Sequence, residues 1–263
     1  MARLSTDEIR FFKKNGYLIK RRVMDENLMA RARERLWENA PLEVDCNDPD
    51  TWVGPIKRYH EEGTGNVGGE YSWKYKGIGG EDWIVRMLAT DPSIWGMAEQ
   101  LLGEGNLVVP ERIRGIYCLL PEGNIPQRPV TCHTDAHPFH LGVVGYIDDV
   151  APNGGGFWVW PKSHRTFYYD YHTQHGNERT EQYENHATFF NRQPYVDCHG
   201  GTGDIIFWHH RLGHSAGHNR SKRIRKAVLC DFCKKDLEKT TDEPPCEDMW
   251  RDWHGIHRID ADS

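Results

Sequence analysis

The chain has 263 residues, 38% of them hydrophobic, with 10 Trp, 11 Tyr and 9 Phe, and a formal net charge of −6. That suits one large domain with a packed interior, and the mixed charge carries no basic footprint for nucleic acid. No signal-peptide run opens the sequence and no stretch approaches the roughly 18 apolar residues of a membrane span, while seven scattered cysteines fit a reducing cytosol better than a disulfide framework.

Residues 5–40 read as two helices around a short strand. Ser5-Thr6-Asp7-Glu8 offers a capping box, Ile9, Phe11 and Phe12 an apolar face, and Asn15-Gly16 a stop. Tyr17-Leu18-Ile19 is strand-like. Asp25 caps a second helix with Leu28, Ala32 and Leu36 at helical spacing, Arg31, Arg33, Glu34 and Arg35 in solvent, and Pro41 beyond its end. Residues 41–81 keep no steady period and are rich in glycine and aromatics (Trp52, Tyr59, Tyr71, Trp73, Tyr75), so they read as a functional or mobile loop. Gly63 to Gly68 spells G-x-G-x-x-G, but no apolar strand precedes it and no helix follows, so it is not a nucleotide site. Residues 82–103 read as helical, with Trp83, Met87, Trp95, Ala98, Leu101 and Leu102 inward and Gly103 as a stop.

The texture then changes to short β-type runs: 107–109, 113–120, 141–147, 157–160, 205–208 and 225–232. They are separated by turn signals such as Pro121-Glu122-Gly123-Asn124 and Asn153-Gly154-Gly155-Gly156. The expected fold is mainly β with flanking α-helices around a jelly roll, two facing sheets closed on each other. One domain spans 1–263: helical support and substrate loop over 5–103, jelly-roll core over 104–235, and a tail over 236–263. Residues 162–200, with Tyr168, Tyr169, Tyr171, His172, His175, Phe189 and Phe190, read as an insert over one end of the barrel. The tail is acidic, then aromatic (Trp250, Trp253), a short helix packed outside or at a partner.

Fifteen histidines is a high count; several could be ligands, and not all of them can be. His133 and Asp135 are two residues apart, which on a strand puts both on one face about 7 Å apart. A Gly203-Asp204 turn, an apolar strand, a histidine group and a basic run follow. His209, His210, His214 and His218 compete as a third ligand. His209 and His210 extend the apolar strand, whereas His214 follows Arg211-Leu212-Gly213, where the chain can turn inward. His214 is therefore favoured, with His210 second. Two histidines and one carboxylate leave three coordination positions open, the set that suits Fe(II) binding a cosubstrate and O2, whereas zinc more often is tetrahedral. His137 and His140 either line the pocket or sit in a solvated loop. Arg112 and Arg114 share one strand face, and for a strand near an edge surface charge is the favoured reading over contact with an anionic substrate. Aromatic stretches 71–83, including Trp73, and 167–171 either enclose a ligand or pack. Cys230 and Cys233, three apart on a strand, point to opposite faces and hold neither zinc nor a disulfide.

Together the motifs resemble the phytanoyl-CoA dioxygenase family of Fe(II)/2-oxoglutarate oxygenases. Phe11 to Ile19 resembles its entry helix and strand, and Cys132-His133-Thr134-Asp135 its His-x-Asp. Asn153 to Arg165 is similar to its Asn-Gly … Pro-Gly-Ser-His stretch, with Lys162 where glycine is usual. His214 to Ala227 resembles its distal histidine, Asn-x-Ser turn and cosubstrate arginine. The resemblance runs over about residues 5–232 and implies a cupin-like double-stranded β-helix with iron at its open end. It implies that His133, Asp135 and His214 bind Fe(II), that Arg225 holds the distal carboxylate of 2-oxoglutarate, and that Asn219 and Ser221 form the turn beside it. Alternation alone cannot separate Arg223 from Arg225; the family spacing selects Arg225. The implied reaction consumes O2, releases succinate and CO2, and hydroxylates a C–H bond of a small soluble metabolite or natural-product intermediate. An intact Asp135 argues for hydroxylation, or for desaturation or another oxidative outcome of the same chemistry, because related halogenases carry a small residue there. His137, His140, Arg114 and Trp73 are the candidate substrate residues. A cupin-type metal isomerase or hydrolase and a non-catalytic binding module are the other readings, and neither needs Arg225. The expected setting is cytoplasmic, with a small-molecule substrate, no nucleic acid or membrane partner, and a monomer or homodimer.

Overall fold

The computed structural model describes residues 3–58, 60–61, 66–67, 69–126, 129, 131–170, 180–241 and 243–260. Tyr59, most of the G-x-G-x-x-G segment, Tyr171, His172 and His175 lie outside them. Helix α1 (Thr6–Asn15) starts on the expected capping box: Ser5 Oγ accepts from Glu8 N at 3.2 Å, and the Glu8 carboxylate accepts from Ser5 N at 2.8 Å. It stops at Gly16, whose φ of 82° and whose closeness to His164 Nδ1, 2.5 Å from where a Cβ would lie, both exclude other residues. Ile9 and Phe12 are buried, but Phe11 is exposed and Lys13 is inside. The Lys13 ammonium goes in because three carbonyls of the tail, Ile256, His257 and Ile259, accept from it.

Strand β1 (Tyr17–Lys20) and helix α2 (Glu26–Leu36) follow. Arg33 on α2 is not free in solvent: it donates to Asp148 Oδ1 at 2.7 Å and to the Ile147 carbonyl. Strands β2 (His60–Glu61), β3 (Asn66–Val67) and β4 (Ser72–Tyr75) occupy part of the stretch expected to be a loop. The expected single helix over 82–103 is two, α3 (Asp82–Leu88) and α4 (Pro92–Leu102). The break is local chemistry. Asp91 accepts from the Ser93 and Ile94 amides, and Pro92 fits the first helical turn while disfavouring helix before it.

The remaining strands are β5 (Gly115–Leu119), β6 (Leu141–Tyr146), β7 (Phe157–Val159), β8 (Val196–Cys198), β9 (Ile205–His209), β10 (His214–Ala216) and β11 (Arg225–Phe232). They form a six-stranded antiparallel sheet, β1-β9-β6-β11-β5-β4, facing a three-stranded one, β10-β7-β8. The run at 107–109 supplies only an isolated bridge from Leu107 to Lys234. Strand β6 is buried on both faces, so it carries no polar alternation: Leu141 and Val143 join the core under the helices, while Val144 and Tyr146 join the core between the sheets. The Tyr146 hydroxyl binds the sheets together, donating to the Cys198 carbonyl at 2.6 Å and accepting from Phe157 N at 2.8 Å.

Helices α5 (Ser163–Phe167) and α6 (Glu181–Asn191) form the described part of the insert. The insert ends before residue 200, since β8 is a strand of the smaller sheet. Helix α6 supports the segment before β6: Asn191 Oδ1 accepts from Cys132 N, and Tyr183 Oη accepts from Thr134 N. The tail, with α7 (Leu237–Thr240), folds onto its own chain, Trp250 and Trp253 packing against Phe12 in tilted pairs with ring centroids 6.0 and 5.6 Å apart. Among the described residues no helix is long and apolar enough to cross a membrane.

Lys162, just before α5, has φ 71°. A left-handed backbone costs a side-chain-bearing residue about 1 kcal/mol that glycine avoids. Lys162→Gly is expected to raise stability by roughly that amount, less the extra entropy of an unfolded glycine, and urea unfolding measures it; a loss of 1 kcal/mol or so instead would mean that the Lys162 side chain has a structural role.

Candidate metal centre

The chain brings residues 133 and 214 together by backbone pairing. His133 N donates to the His214 carbonyl at 3.1 Å and His214 N to the His133 carbonyl at 2.9 Å. Gly213 permits the approach: a Cβ there would lie 2.5 Å from Cys132 Sγ. Donor atoms of His133, Asp135 and His214 then fall within 4.8 Å of one another, the one such group of three among the described residues. Both rings are oriented alike. His214 Nδ1 donates to the Leu212 carbonyl at 2.9 Å and His133 Nδ1 to the Thr131 carbonyl at 3.3 Å, which leaves each Nε2 with its lone pair. Burial pushes His214 down to about 4, against the pull of Asp135, so its ring is neutral near pH 7. Burial alone would raise the Asp135 carboxyl, but His214, Arg114 and His133 outweigh it and hold the group well below the usual range. With His214 neutral, the standing cation beside Asp135 is Arg114.

The competing histidines are used elsewhere. His209 Nδ1 accepts from Arg211 N, His210 Nδ1 donates to the His140 carbonyl, and His218 pairs with Glu122 Oε1 at 2.9 Å.

Arg114 is not surface charge. Its Nη2 donates to Asp135 Oδ2 at 2.7 Å, and Nε and Nη2 grip both oxygens of Asp231 at 2.7 Å. His137 closes the set, with Nε2 3.0 Å from Asp231 Oδ2. Asp231 was not marked in the sequence, yet alternation along β11 finds it: Arg225, Ala227, Leu229 and Asp231 share a face.

These groups line a cavity of about 690 Å³ between the sheets. Arg225 sits in its wall and is buried, donating from Nε to the Gly155 carbonyl at 2.7 Å and from Nη1 to the Tyr117 carbonyl at 3.1 Å. Its Nη2 donates to no group among the described residues. Arg223 is exposed outside the cavity. Asn219 and Ser221 do not line it either. Asn219 Nδ2 bridges the Leu119 and Arg223 carbonyls and its Oδ1 accepts from Ser221 Oγ, so the pair shapes the turn into β11. Of the four candidate substrate residues, Arg114 and His137 line the cavity and two do not. His140 is buried behind it, with Nδ1 accepting from Lys234 N. Trp73 is fully buried in the core on the other face of β4, against Trp37 and Asn39. The same alternation puts Ser72, Lys74 and Lys76 into the cavity, with Tyr117 beside them. Missing β4 in the sequence hid them.

Two neutral imidazole nitrogens and one carboxylate suit a divalent first-row ion and leave part of its coordination sphere for ligands entering from the cavity. A buried arginine with a free donor edge suits a carboxylate.

A family model described as phytanoyl-CoA dioxygenase (PhyH) matches residues 12–227. A Caenorhabditis elegans protein called "Probable phytanoyl-CoA dioxygenase" is 22% identical over 266 residues, covering 94% of this chain and 82% of the relative. Among solved structures, the non-heme alpha-ketoglutarate-dependent carbocyclase SnoK of nogalamycin biosynthesis is 20% identical, with TM-score 0.56 and 92% of each chain covered. EctD from S. alaskensis with bound Fe is 18% identical, with TM-score 0.56 and 88% and 76% covered. HygX from Streptomyces hygroscopicus, crystallised with nickel, 2-oxoglutarate and hygromycin B, is 13% identical, with TM-score 0.54 and 88% of each covered. At these identities the structures establish a shared fold.

Proposed function

The chain belongs to the phytanoyl-CoA dioxygenase family of non-heme Fe(II)/2-oxoglutarate dioxygenases, and from that premise we propose that it hydroxylates a C–H bond of a small soluble molecule at the cavity described above. In this reading His133, Asp135 and His214 hold Fe(II) and Arg225 holds the distal carboxylate of 2-oxoglutarate. The observation that carries it is the convergence of three donors within 4.8 Å in the same cavity wall-to-wall with a buried arginine. When bound, iron and 2-oxoglutarate supply the oxidising chemistry, with O2 consumed and succinate and CO2 released.

The chain's own residues do the positioning. The Leu212 and Thr131 carbonyls fix the two imidazole tautomers so that Nε2 faces the cavity. Arg225 pairs with a carboxylate through its free edge while the Gly155 and Tyr117 carbonyls stop it from turning. Phe157, Val144 and Trp208 make the apolar floor that limits water. Gly142 permits that floor, because a Cβ there would collide with the Trp208 indole. A metal isomerase or a binding module has no use for Arg225. The seven cysteines, all free, support a cytoplasmic setting.

Anaerobic addition of Fe(II) and 2-oxoglutarate is expected to give a visible charge-transfer band, and pooled metabolites then to stimulate succinate release with a hydroxylated product. Absence of the band, with tight binding of zinc alone, would sink the reading. A desaturated, cyclised or epimerised product would keep the enzyme class and replace hydroxylation.

Asp231 is expected to set the metal affinity indirectly. Asp231→Asn leaves Arg114 neutralised by Asp135 alone, which both competes for the ligand and repels the ion. Outer-shell losses of this kind weaken metal binding about 10–100-fold. Equilibrium dialysis with Co(II) checks this, and wild-type affinity in the variant would remove Asp231 from the metal's surroundings.

A further inference from the structure

Ser163 is fully buried, and its hydroxyl makes two hydrogen bonds. Oγ donates to the Trp160 carbonyl at 2.6 Å and accepts from Gly213 N at 2.8 Å. Gly213 N and the Leu212 carbonyl belong to one peptide unit, which is planar, with its N–H and C=O pointing opposite ways. Whatever holds the N–H therefore aims the carbonyl, and that carbonyl accepts from His214 Nδ1 at 2.9 Å. The bonds run in one direction: His214 Nδ1–H to the Leu212 carbonyl, Gly213 N–H to Ser163 Oγ, and Ser163 O–H to the Trp160 carbonyl. Bonds in such a chain polarise one another. At its near end the Nε2 lone pair of His214 lies 3.7 Å from Asp135 Oδ2.

The peptide needs this support. Gly213 is required at its place, because a Cβ there would press on Cys132 Sγ, on the Phe167 ring and on Ser163 Oγ. Glycine also has the freest backbone, so the Leu212–Gly213 plane is the softest point of the turn. The flanking peptides are held separately. Leu212 N closes on the His209 carbonyl at 2.8 Å, and the Gly213 carbonyl accepts from Trp160 N at 2.9 Å. Among the described residues, Ser163 alone grips the plane between them from outside the metal centre.

The hydroxyl has no competing task. Ser163 begins α5, but Lys162 occupies the cap and no side chain caps that helix. The segment is itself anchored on α1. Lys162 N donates to the Asn15 carbonyl at 3.0 Å, and His164 Nε2 to the Lys13 carbonyl at 3.2 Å. The Pro161-Lys162-Ser163-His164 run thus docks on the end of α1 and presents Ser163 to the turn before His214.

We propose that Ser163 is a positioning residue of the metal centre, which fixes the tautomer and direction of the His214 ring through the Leu212–Gly213 peptide. This rests on the oxygenase reading only for His214 as a ligand. Ser163 acts by keeping the His214 proton on Nδ1, so that Nε2 offers its lone pair to an ion without first losing a proton.

The test uses full-length protein with nitrogen-15-labelled histidine. In the metal-free protein, long-range proton–nitrogen spectra read the His214 tautomer, its signal assigned with His214→Gln. Ser163→Ala is expected to replace the single Nδ1–H form by a mixture of both tautomers. It is also expected to weaken Co(II) binding in equilibrium dialysis about tenfold, the lower end of what losing an outer partner costs a metal site. Ser163→Cys keeps a weak acceptor in the same place and is expected to fall between Ala and wild type. Phe190→Leu thins the same packing cluster without touching the hydrogen-bond chain, so it controls for lost stability and is expected to keep both tautomer and affinity. A pure Nδ1–H form with wild-type Co(II) affinity in Ser163→Ala overturns the proposal, and so does an equal loss in Phe190→Leu. If Ser163→Ala does not fold, Ser163→Cys decides alone, and an unchanged tautomer and affinity there overturn the proposal. The tautomer is read without metal. Absence of the charge-transfer band in protein given Fe(II) and 2-oxoglutarate therefore bears on the oxygenase reading separately.

Discussion

Asp135→Ala is expected to abolish succinate release while leaving the fold intact. The substitution removes the one carboxylate of the three donors and leaves two imidazoles. It also strips Arg114 Nη2 of a partner 2.7 Å away and so removes the carboxylate that stands between the guanidinium and the ion, leaving Arg114 paired with Asp231 alone. Both effects act in one direction. Loss of an outer-shell partner alone weakens a metal about 10–100-fold, so loss of a direct ligand should exceed about 100-fold. Stability should change little, because Asp135 faces the cavity and its segment is held from behind by Tyr183 and Asn191. Metal dialysis, succinate release and near-UV circular dichroism are the three measurements. Undiminished turnover with a native spectrum would mean that another carboxylate is the ligand. The double variant Asp135→Ala with Arg114→Met separates the two effects: recovery of metal binding assigns most of the loss to repulsion.

Much of this site is legible in the sequence because it is made of local signals. Ser5 and Glu8 announce a helix start, Gly16 its end, and His133-x-Asp135 a shared face, and each depends on neighbours within a few residues. Choosing His214 among four histidines needed only the glycine turn before it. What the sequence hides is long-range pairing. Ser72 to Tyr75 has no strong strand pattern of its own; it becomes a strand because β5 offers it an edge, and this buries Trp73 and turns Lys74 inward. Arg33 reads as solvent-facing by helical period, but Asp148, distant in sequence, draws it in, as the tail carbonyls do Lys13. Arg114 reads as edge charge until Asp231 and Asp135, 117 and 21 residues away, converge on it. Alternation along β11 did contain Asp231, and only the lack of a partner in the sequence kept it unremarked.

Acid is expected to unfold this protein through its buried histidines, before Asp135 and Asp231 are protonated. Four histidines outside the metal centre, His140, His164, His209 and His210, are buried near the tail, and burial is the main reason that each is held in the neutral form. The hydrogen bonds explain why a proton has nowhere to go. His140 Nδ1 already accepts from Lys234 N and His209 Nδ1 from Arg211 N, so a proton on either nitrogen would face an N–H. His164 donates from Nε2 to the Lys13 carbonyl, and its Nδ1 lies against Gly16 with no partner. The folded values are depressed, to about 4 for His140 and about 3 for His164, from an ordinary 6.5. Below pH 6.5 the unfolded chain therefore binds more protons than the folded one. Stability present above pH 6.5 is lost as pH falls toward 4 and then 3. At 1.36 kcal/mol per pKa unit the loss is about 3 kcal/mol for His140 and about 5 for His164. His209 and His210 act with the same sign. The sum rivals the roughly 5–15 kcal/mol that holds a domain folded. Carboxylates such as Asp135 and Asp231 are held below their ordinary 3.8, so they protonate later. Tryptophan fluorescence and far-ultraviolet circular dichroism followed against pH should collapse together between about pH 6 and 4. Retention of both signals at pH 4 would mean that these rings are protonated in the folded state, or that water reaches them.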